Sequence, residues 1–113
     1  MNYNYNNYKK DYIINKRKNS FKIQDLENGD IVLFNDGDVE IAMPSIGTFI
    51  CEDGYDKISD FTEDFKYIYD TSLMIMEIRR PTQAFECNFS AFRNNYGIVV
   101  YKRDEEGLHH FNP

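Results

Sequence analysis

The sequence predicts a small, mainly β protein, and three observations lead to that fold class. From Phe21 onward, short apolar runs alternate with turn residues, and helical periodicity is almost absent. The chain has 113 residues and is 42% apolar, which is enough for one compact core. We therefore expect an SH3-like barrel or a strongly bent antiparallel sheet, because closure or bending protects the strand edges.

The first elements of this domain are a turn and a hairpin. Asn28-Gly29 supplies residues that accept a positive φ, and it leads into a strand at 31–34. A second turn at 35–38 opens the next strand. From Val39 to Met43 every second residue is large and apolar, which predicts one buried face and one wet face that carries Glu40 and Ala42.

Further strands are predicted along the rest of the chain, at 46–51, 55–58, 73–78, 85–89 and 98–101. Ser59 is expected to cap a single helical turn after the second of these. The strand at 73–78 is expected to be central, because five of its six residues are apolar. Cys51 and Cys87 are expected to be reduced thiols that act as small core residues.

Charge divides the chain into an arm, a body and a tail. Residues 1–20 hold five basic residues and one acid in an Asn-, Lys- and Tyr-rich run, which predicts a flexible, low-complexity basic arm. Residues 21–104 form the predicted β domain, and residues 105–113 are expected to fray. Between Asp25 and Asp70, thirteen acids face two lysines, so the net charge of −6 conceals a strongly acidic body.

Sequence motifs for catalysis are missing, so we expect a protein that is not an enzyme. The chain has no nucleophile elbow and no phosphate-binding loop. Its two histidines, His109 and His110, lie in the polar tail. Asp53, Asp56 and Asp60 miss the spacing of a calcium-binding loop, and we expect neither a metal nor a cofactor.

Targeting signals are not evident either. No apolar run approaches the roughly 18 residues that a membrane helix needs. Residues 1–20 lack the apolar stretch of a secretory signal. We therefore expect a cytoplasmic protein without a membrane partner.

The candidate binding surface is a run of acids within thirteen residues, opposed there by Lys57. Its members are Glu52, Asp53, Asp56, Asp60, Glu63 and Asp64. The simplest interpretation is a solvated face that keeps the protein in solution. The functional interpretation is that carboxylates on a rigid β scaffold imitate phosphates and occupy a basic nucleic-acid channel of another protein.

Three segments carry a resemblance to a group of known proteins: 26–37 with its Asn-Gly-Asp turn, 54–65, and Ile-Met-Glu-Ile-Arg-Arg-Pro at 75–81. They are similar to small proteins carried by phages and prophages of low-GC Gram-positive bacteria. The resemblance spans about Phe21 to Arg103 and implies an SH3-like barrel in a mobile-element setting. In that setting small acidic proteins resemble inhibitors of host defence, such as anti-CRISPR proteins.

These observations lead to one expected function and two alternatives. The expected function is non-enzymatic inhibition, in which the acidic run binds a basic host nuclease or effector. The sequence is compatible with a homodimer and does not determine the oligomeric state. The first alternative is an oligomeric sponge that sequesters a nucleotide signal, with Arg79, Arg80 or Arg93 gripping the phosphate. The second alternative is nucleic-acid binding through the 1–20 arm, or a structural phage module.

Overall fold

The computed structural model describes residues 20–103, which form one six-stranded antiparallel sheet. Its strands are β1 (Ile31–Phe34), β2 (Val39–Met43), β3 (Thr48–Cys51), β4 (Gly54–Lys57), β5 (Ile75–Arg80) and β6 (Ile98–Lys102). Their order in the sheet is β4-β3-β2-β1-β5-β6, so β4 and β6 form its two edges. The mainly β, antiparallel prediction is confirmed, and within residues 20–103 the sheet is open. The predicted arm lies outside these residues except for Ser20, and the tail, with His109 and His110, lies wholly outside them.

Two tight hairpins, β1–β2 and β3–β4, lie next to each other in the sheet, and their turns determine which strand ends come together. In the turn between β1 and β2, the N–H of Phe34 donates to the carbonyl of Asp38 (2.9 Å), and Gly37 has a φ of 96°. β3 and β4 are joined by a shorter turn, of two residues, at 52–53. Because the four strands run alternately up and down, the turn after β1 and the turn after β3 lie at the same end of the sheet.

The core lies between one face of the sheet and residues 58–74, which we call the crossover. The sheet contributes Val32, Phe34, Ala42, Phe49, Ile75, Ile78 and Tyr101. The crossover adds Phe61 and Phe65. The ring of Phe61 lies 5.1 Å from that of Phe49, and the ring of Phe65 lies 4.7 Å from that of Tyr101. These aromatic contacts fasten the crossover to the sheet.

The predicted faces of β2 are wrong, because Glu40 and Ala42 face the core. Their exposed fractions are 5% and 0%, whereas Val39, Ile41 and Met43 are half-buried. The reason lies in the neighbouring strands. Glu40 is opposite Val32 and Ala42 is opposite Phe49, and both of these partners are fully buried. Their burial decides which face of β2 points inward.

The strand predicted at 85–89 is also wrong, since Ala84–Glu86 form a 3-10 turn within the long connection between β5 and β6. Side chains here bond to the nearby backbone. The Glu86 carboxylate accepts the N–H of Thr82 at 2.7 Å, and the Asn88 side chain both donates to Phe85 O and accepts from Ser90 N at 2.8 Å. Such local bonds compete with strand pairing.

Two smaller expectations need adjusting around the crossover. The helical turn after β4 is present as a 3-10 turn at Ile58–Asp60, but Lys57 holds the capping position and Ser59 lies inside the turn. The strand predicted at 73–78 begins at Ile75 and continues to Arg80. It lies between β1 and β6, so its interior position in the sheet is confirmed.

Candidate functional site

The six acids predicted as a binding surface are placed in two groups. Glu52 and Asp53 are exposed in the turn between β3 and β4, and Asp56 lies in β4 opposite Phe49. Asp60 belongs to the 3-10 turn that follows. These four residues therefore lie in or directly beside β4, an edge strand of the sheet.

Glu63 and Asp64 form the second group, further along the crossover. The backbone carbonyl of Asp64 accepts a bond from Arg103 Nη2 (2.7 Å), and Arg103 directly follows β6, the other edge strand. A hydrogen bond from the Thr62 hydroxyl lowers the pKa of Asp64, and the charges of Lys66 and Arg103 act in the same direction. Asp64 is thus partly neutralised by its own neighbours.

A denser group of acids arises where the two hairpin turns meet, and we call it the acidic end. Its members are Asp36, Asp38, Glu40, Glu52, Asp53 and Asp56. Three of them, Asp36, Asp38 and Glu40, were not among the predicted site residues. They precede the predicted run by more than ten residues along the chain, and the antiparallel order of β1 to β4 brings them beside it. The alternation of strands and turns in the sequence was the signal for this adjacency.

A cleft of about 550 Å³ opens at the acidic end. One side is formed by Asp38 and Glu40, and another by Cys51 with Glu52 and Asp53. The connection between β5 and β6 closes the third side with Phe89, Ser90 and Arg93. The residues that border the cleft thus include four acidic residues, one cysteine, one phenylalanine and one arginine.

Glu40 is the buried carboxyl group of the acidic end, and its side chain lies on the core face of β2. Its exposed fraction is 5%, and its Oε1 has no hydrogen-bond partner within residues 20–103, whereas the carboxyl group as a whole has a side-chain hydrogen bond with Asp56. Burial is the largest cause that raises the pKa of Glu40 from its ordinary value of 4.5 to about 8, and the hydrogen bond with Asp56 and the charges of Asp56, Asp38 and Asp36 act in the same direction. Near pH 7, the folded protein therefore holds Glu40 mainly in its protonated form.

The two cysteines are both half-buried, and neither forms a disulfide. Cys51 lies on the cleft and donates a hydrogen bond from its thiol to Asp53 Oδ1 at 3.5 Å. Burial raises the pKa of this thiol, and the charge of Glu40 adds to the effect. Cys87 donates to the carbonyl of Gly29, and burial raises its pKa as well. A raised pKa keeps each thiol protonated and weakly nucleophilic.

The three arginines predicted as an alternative phosphate grip do not converge. Arg80 forms a bidentate pair with the fully buried Asp30, with Nε to Oδ1 at 2.8 Å and Nη2 to Oδ2 at 2.9 Å. Arg79 is held by Glu77 at 2.8 Å. Arg93 is exposed beside the acidic cleft. Two of the three guanidinium groups are therefore occupied by internal carboxylates.

Metal ligands are not assembled in the part of the chain that the structure describes. No group of three or more His, Cys, Asp or Glu side chains there is arranged to hold a metal ion. None of the helical segments among residues 20–103 has the length and apolarity needed to cross a lipid bilayer.

No family model, curated protein or solved structure matches this chain. The functional argument therefore depends on the geometry of the acidic end. Chemically, that geometry offers negative charge on a rigid support and a phenylalanine among the residues that border the cleft. Such an arrangement is suited to binding cationic groups.

Proposed function

We propose that this protein acts by binding, and that it inhibits a basic partner protein by occupying that partner's nucleic-acid-binding surface. The observation that carries the proposal is the acidic end, where two hairpin turns and two adjacent strands bring six carboxyl groups together. Arg93 is the basic residue among those that border the cleft. The negative charge of this end is therefore largely uncompensated.

Support for an interaction surface comes from the rigidity of this end of the sheet. Asp38, Glu52 and Asp53 are exposed, yet each is attached to a short hairpin whose backbone is fixed by the ladder between neighbouring strands. Carboxylates held in this way lose little freedom on binding, as do the phosphates of a nucleic-acid duplex. A basic channel that binds phosphates offers them complementary charge.

The partner class follows from the resemblance to phage-borne proteins described above. We expect a nuclease or effector of host defence in the bacterial cytoplasm, because such proteins carry basic channels for nucleic acid. Inhibition then needs no catalytic residue in this chain. It needs only that the acidic end competes with nucleic acid for the same surface.

The experiment is an affinity capture from host lysate with two charge-reversed variants. The test variant carries Asp38→Lys, Glu52→Lys and Asp53→Lys at the acidic end. The control variant carries the same number of reversals at Asp60, Glu63 and Asp64, the members of the predicted acidic run that lie outside the acidic end. Both variants change the net charge equally, so the comparison tests which part of the predicted run binds. Circular dichroism and thermal unfolding establish that both are folded.

We expect the wild type and the control variant to capture a nucleic-acid-binding protein at low salt and to inhibit it. The test variant should lose both properties, and capture by the wild type should weaken steeply when salt approaches about 0.5 M, because screening then acts over a few ångströms. Equal capture by both variants would exclude the acidic end. Elution of an ultraviolet-absorbing small molecule in place of a protein would favour the sponge instead.

A further inference from the structure

We infer that the outer side of β4 pairs with β4 of a second copy of this chain, so that two sheets join into one antiparallel sheet across a two-fold axis. This assembly goes beyond the proposed function and does not depend on it. Three observations on β4 and its surroundings support it.

The first observation is that β4 directs backbone hydrogen-bonding groups outward. β4 pairs with β3 without a register shift, and just beyond it the N–H of Ile58 donates to Gly47 O at 2.9 Å. Bonded and non-bonded positions alternate along an antiparallel ladder, so Asp56 bonds to β3 whereas Tyr55 and Lys57 direct their N–H and C=O groups away from it. Among residues 20–103, these two residues form no other backbone hydrogen bond. Such an edge is a template for another strand.

The second observation is that apolar side chains beside this edge are exposed. Tyr55 has an exposed fraction of 64%, and it lies on the face of the sheet opposite the core, because its neighbour Asp56 is opposite Phe49. Ile68 is 46% exposed, and its N–H donates to Asp60 O at 2.9 Å, in the turn that directly follows β4. Pairing of two β4 strands covers apolar surface that a monomer leaves in water.

The third observation is that charge selects one register. With the axis at Tyr55, each Tyr55 lies opposite the same residue of the second copy, and Lys57 lies beside the turn that carries Glu52 and Asp53 of that copy. An axis one residue later sets the two Asp56 side chains directly opposite each other. An axis one residue earlier sets Asp56 opposite Glu52. Like charges directly opposite each other are destabilising, so the register centred on Tyr55 is favoured.

Lys57 supplies the complementary charge in this register. It is exposed, it forms no ion pair within residues 20–103, and its four-carbon side chain can reach either carboxylate of the neighbouring turn. The two-fold axis repeats this contact, so one interface contains it twice. The two acidic turns lie about 13 Å apart along the paired strands, beyond the screening length of about 8 Å at physiological salt, so their mutual repulsion is weak.

The test is a charge swap, measured on the full chain by sedimentation equilibrium. The single variants are Lys57→Asp and Asp53→Lys, and a double variant carries both substitutions. The matched control is Lys102→Asp, which reverses an exposed lysine on β6, the other edge strand. Circular dichroism and thermal unfolding establish that every variant is folded.

We expect the wild type and the control to form dimers with the same dissociation constant. Each single variant should weaken the dimer by about tenfold or more, because two attractive contacts become repulsive. The double variant should recover the dimer. A mixture of the two single variants should form a heterodimer, since each supplies the charge that the other needs.

Hydrogen exchange gives a second readout at the level of single amides. The amide of Tyr55 points outward, so its protection from exchange should rise with protein concentration as the dimer forms. The amide of Asp56 bonds to β3 in either state, so its protection should change much less. Equal behaviour of the two amides would contradict pairing through β4.

Three results would overturn the inference. A wild type that stays monomeric up to about 1 mM would leave the β4 edge to a strand of another protein. A dimer that both single variants retain, or one that Lys102→Asp abolishes, would place the interface elsewhere. Lys57→Asp leaves every carboxyl group of the acidic end in place, so the result for the dimer is read separately from capture of a basic partner.

Discussion

Replacing Glu40 by glutamine should make the protein more stable at neutral and mildly alkaline pH. In the folded state Glu40 keeps its proton up to about pH 8, whereas in the unfolded chain it loses that proton above about pH 4.5. Between these values the folded state binds one more proton than the unfolded state, so the wild type loses stability as the pH rises. The loss is complete above the folded pKa, where both states are ionised. A glutamine at this position carries no proton to lose.

The size of this effect follows from the two pKa values. One pH unit within the window corresponds to about 1.4 kcal/mol. The window from 4.5 to about 8 therefore corresponds to a loss of about 5 kcal/mol, of which about 3 kcal/mol is reached by pH 7. A domain of this size has a total stability of about 5 to 15 kcal/mol, so the change is easily measured.

The assay is urea unfolding followed by circular dichroism at about pH 5, 6.5 and 8, with Glu63→Gln as the control for the same substitution at an exposed site. We expect the stability gain of Glu40→Gln over wild type to grow with pH and to level off above about pH 8. Asp64, with its lowered pKa, and the two thiols, with their raised pKa values, titrate outside this window. A gain that stays constant from pH 5 to 8, or a loss that grows with pH, would refute the reasoning.

Three further predictions concern a buried pair, a close backbone approach and a competing charge. Arg80→Met should cost about 3 to 5 kcal/mol in urea unfolding by leaving the buried Asp30 unpaired, and adding Asp30→Asn should recover part of it; no recovery would contradict a charge effect. Gly97→Ala should destabilise by about 1 kcal/mol more than Gly37→Ala, because both have positive φ but only at Gly97 would a Cβ lie 3.0 Å from Arg80 O; equal losses would rule out the clash. Arg93→Ala should strengthen capture of the basic partner protein at low salt, since it removes a positive charge from the acidic end, and weaker capture would show that Arg93 assists binding instead.

Local signals in the sequence predict most of the strands. The turn at Asn28-Gly29, the turn at 35–38 and the apolar run at 98–101 lead to strands close to those observed, because turn residues and short apolar runs act over a few neighbouring positions. The strand predicted at 85–89 fails for a local reason too. Its polar residues, Glu86 and Asn88, bond to nearby backbone groups and hold a 3-10 turn.

The faces of β2 could not be predicted from its own residues. Both alternating sets contain apolar side chains, and Glu40 by itself indicates an outward face. The buried face of β2 is decided by residues of the adjacent strands, Val32 opposite Glu40 and Phe49 opposite Ala42. Only the folded topology brings these strands together. An amphipathic pattern predicts a strand more securely than it predicts which side of that strand is buried.

The candidate site was found only in part for a similar reason. Counting charges along the chain identifies Glu52, Asp53 and Asp56, but the turn that carries Asp36 and Asp38 is distant in sequence and adjacent in space. In the same way, nothing local shows that Arg80 is already bound by Asp30. Charge partners across a sheet depend on register, and register is a property of the whole fold.

The two buried carboxyl groups should respond to neutral replacement in opposite directions. Asp30 is paired with Arg80, so Asp30→Asn alone leaves the guanidinium group without its carboxylate and should lower stability. Glu40 has a side-chain hydrogen bond with Asp56 and forms no ion pair within residues 20–103, and its burial disfavours the charged form. Glu40→Gln therefore removes a cost of folding near neutral pH and should raise stability there. Burial alone does not decide the sign of the effect, because the sign depends on whether the buried carboxyl group has a cationic partner.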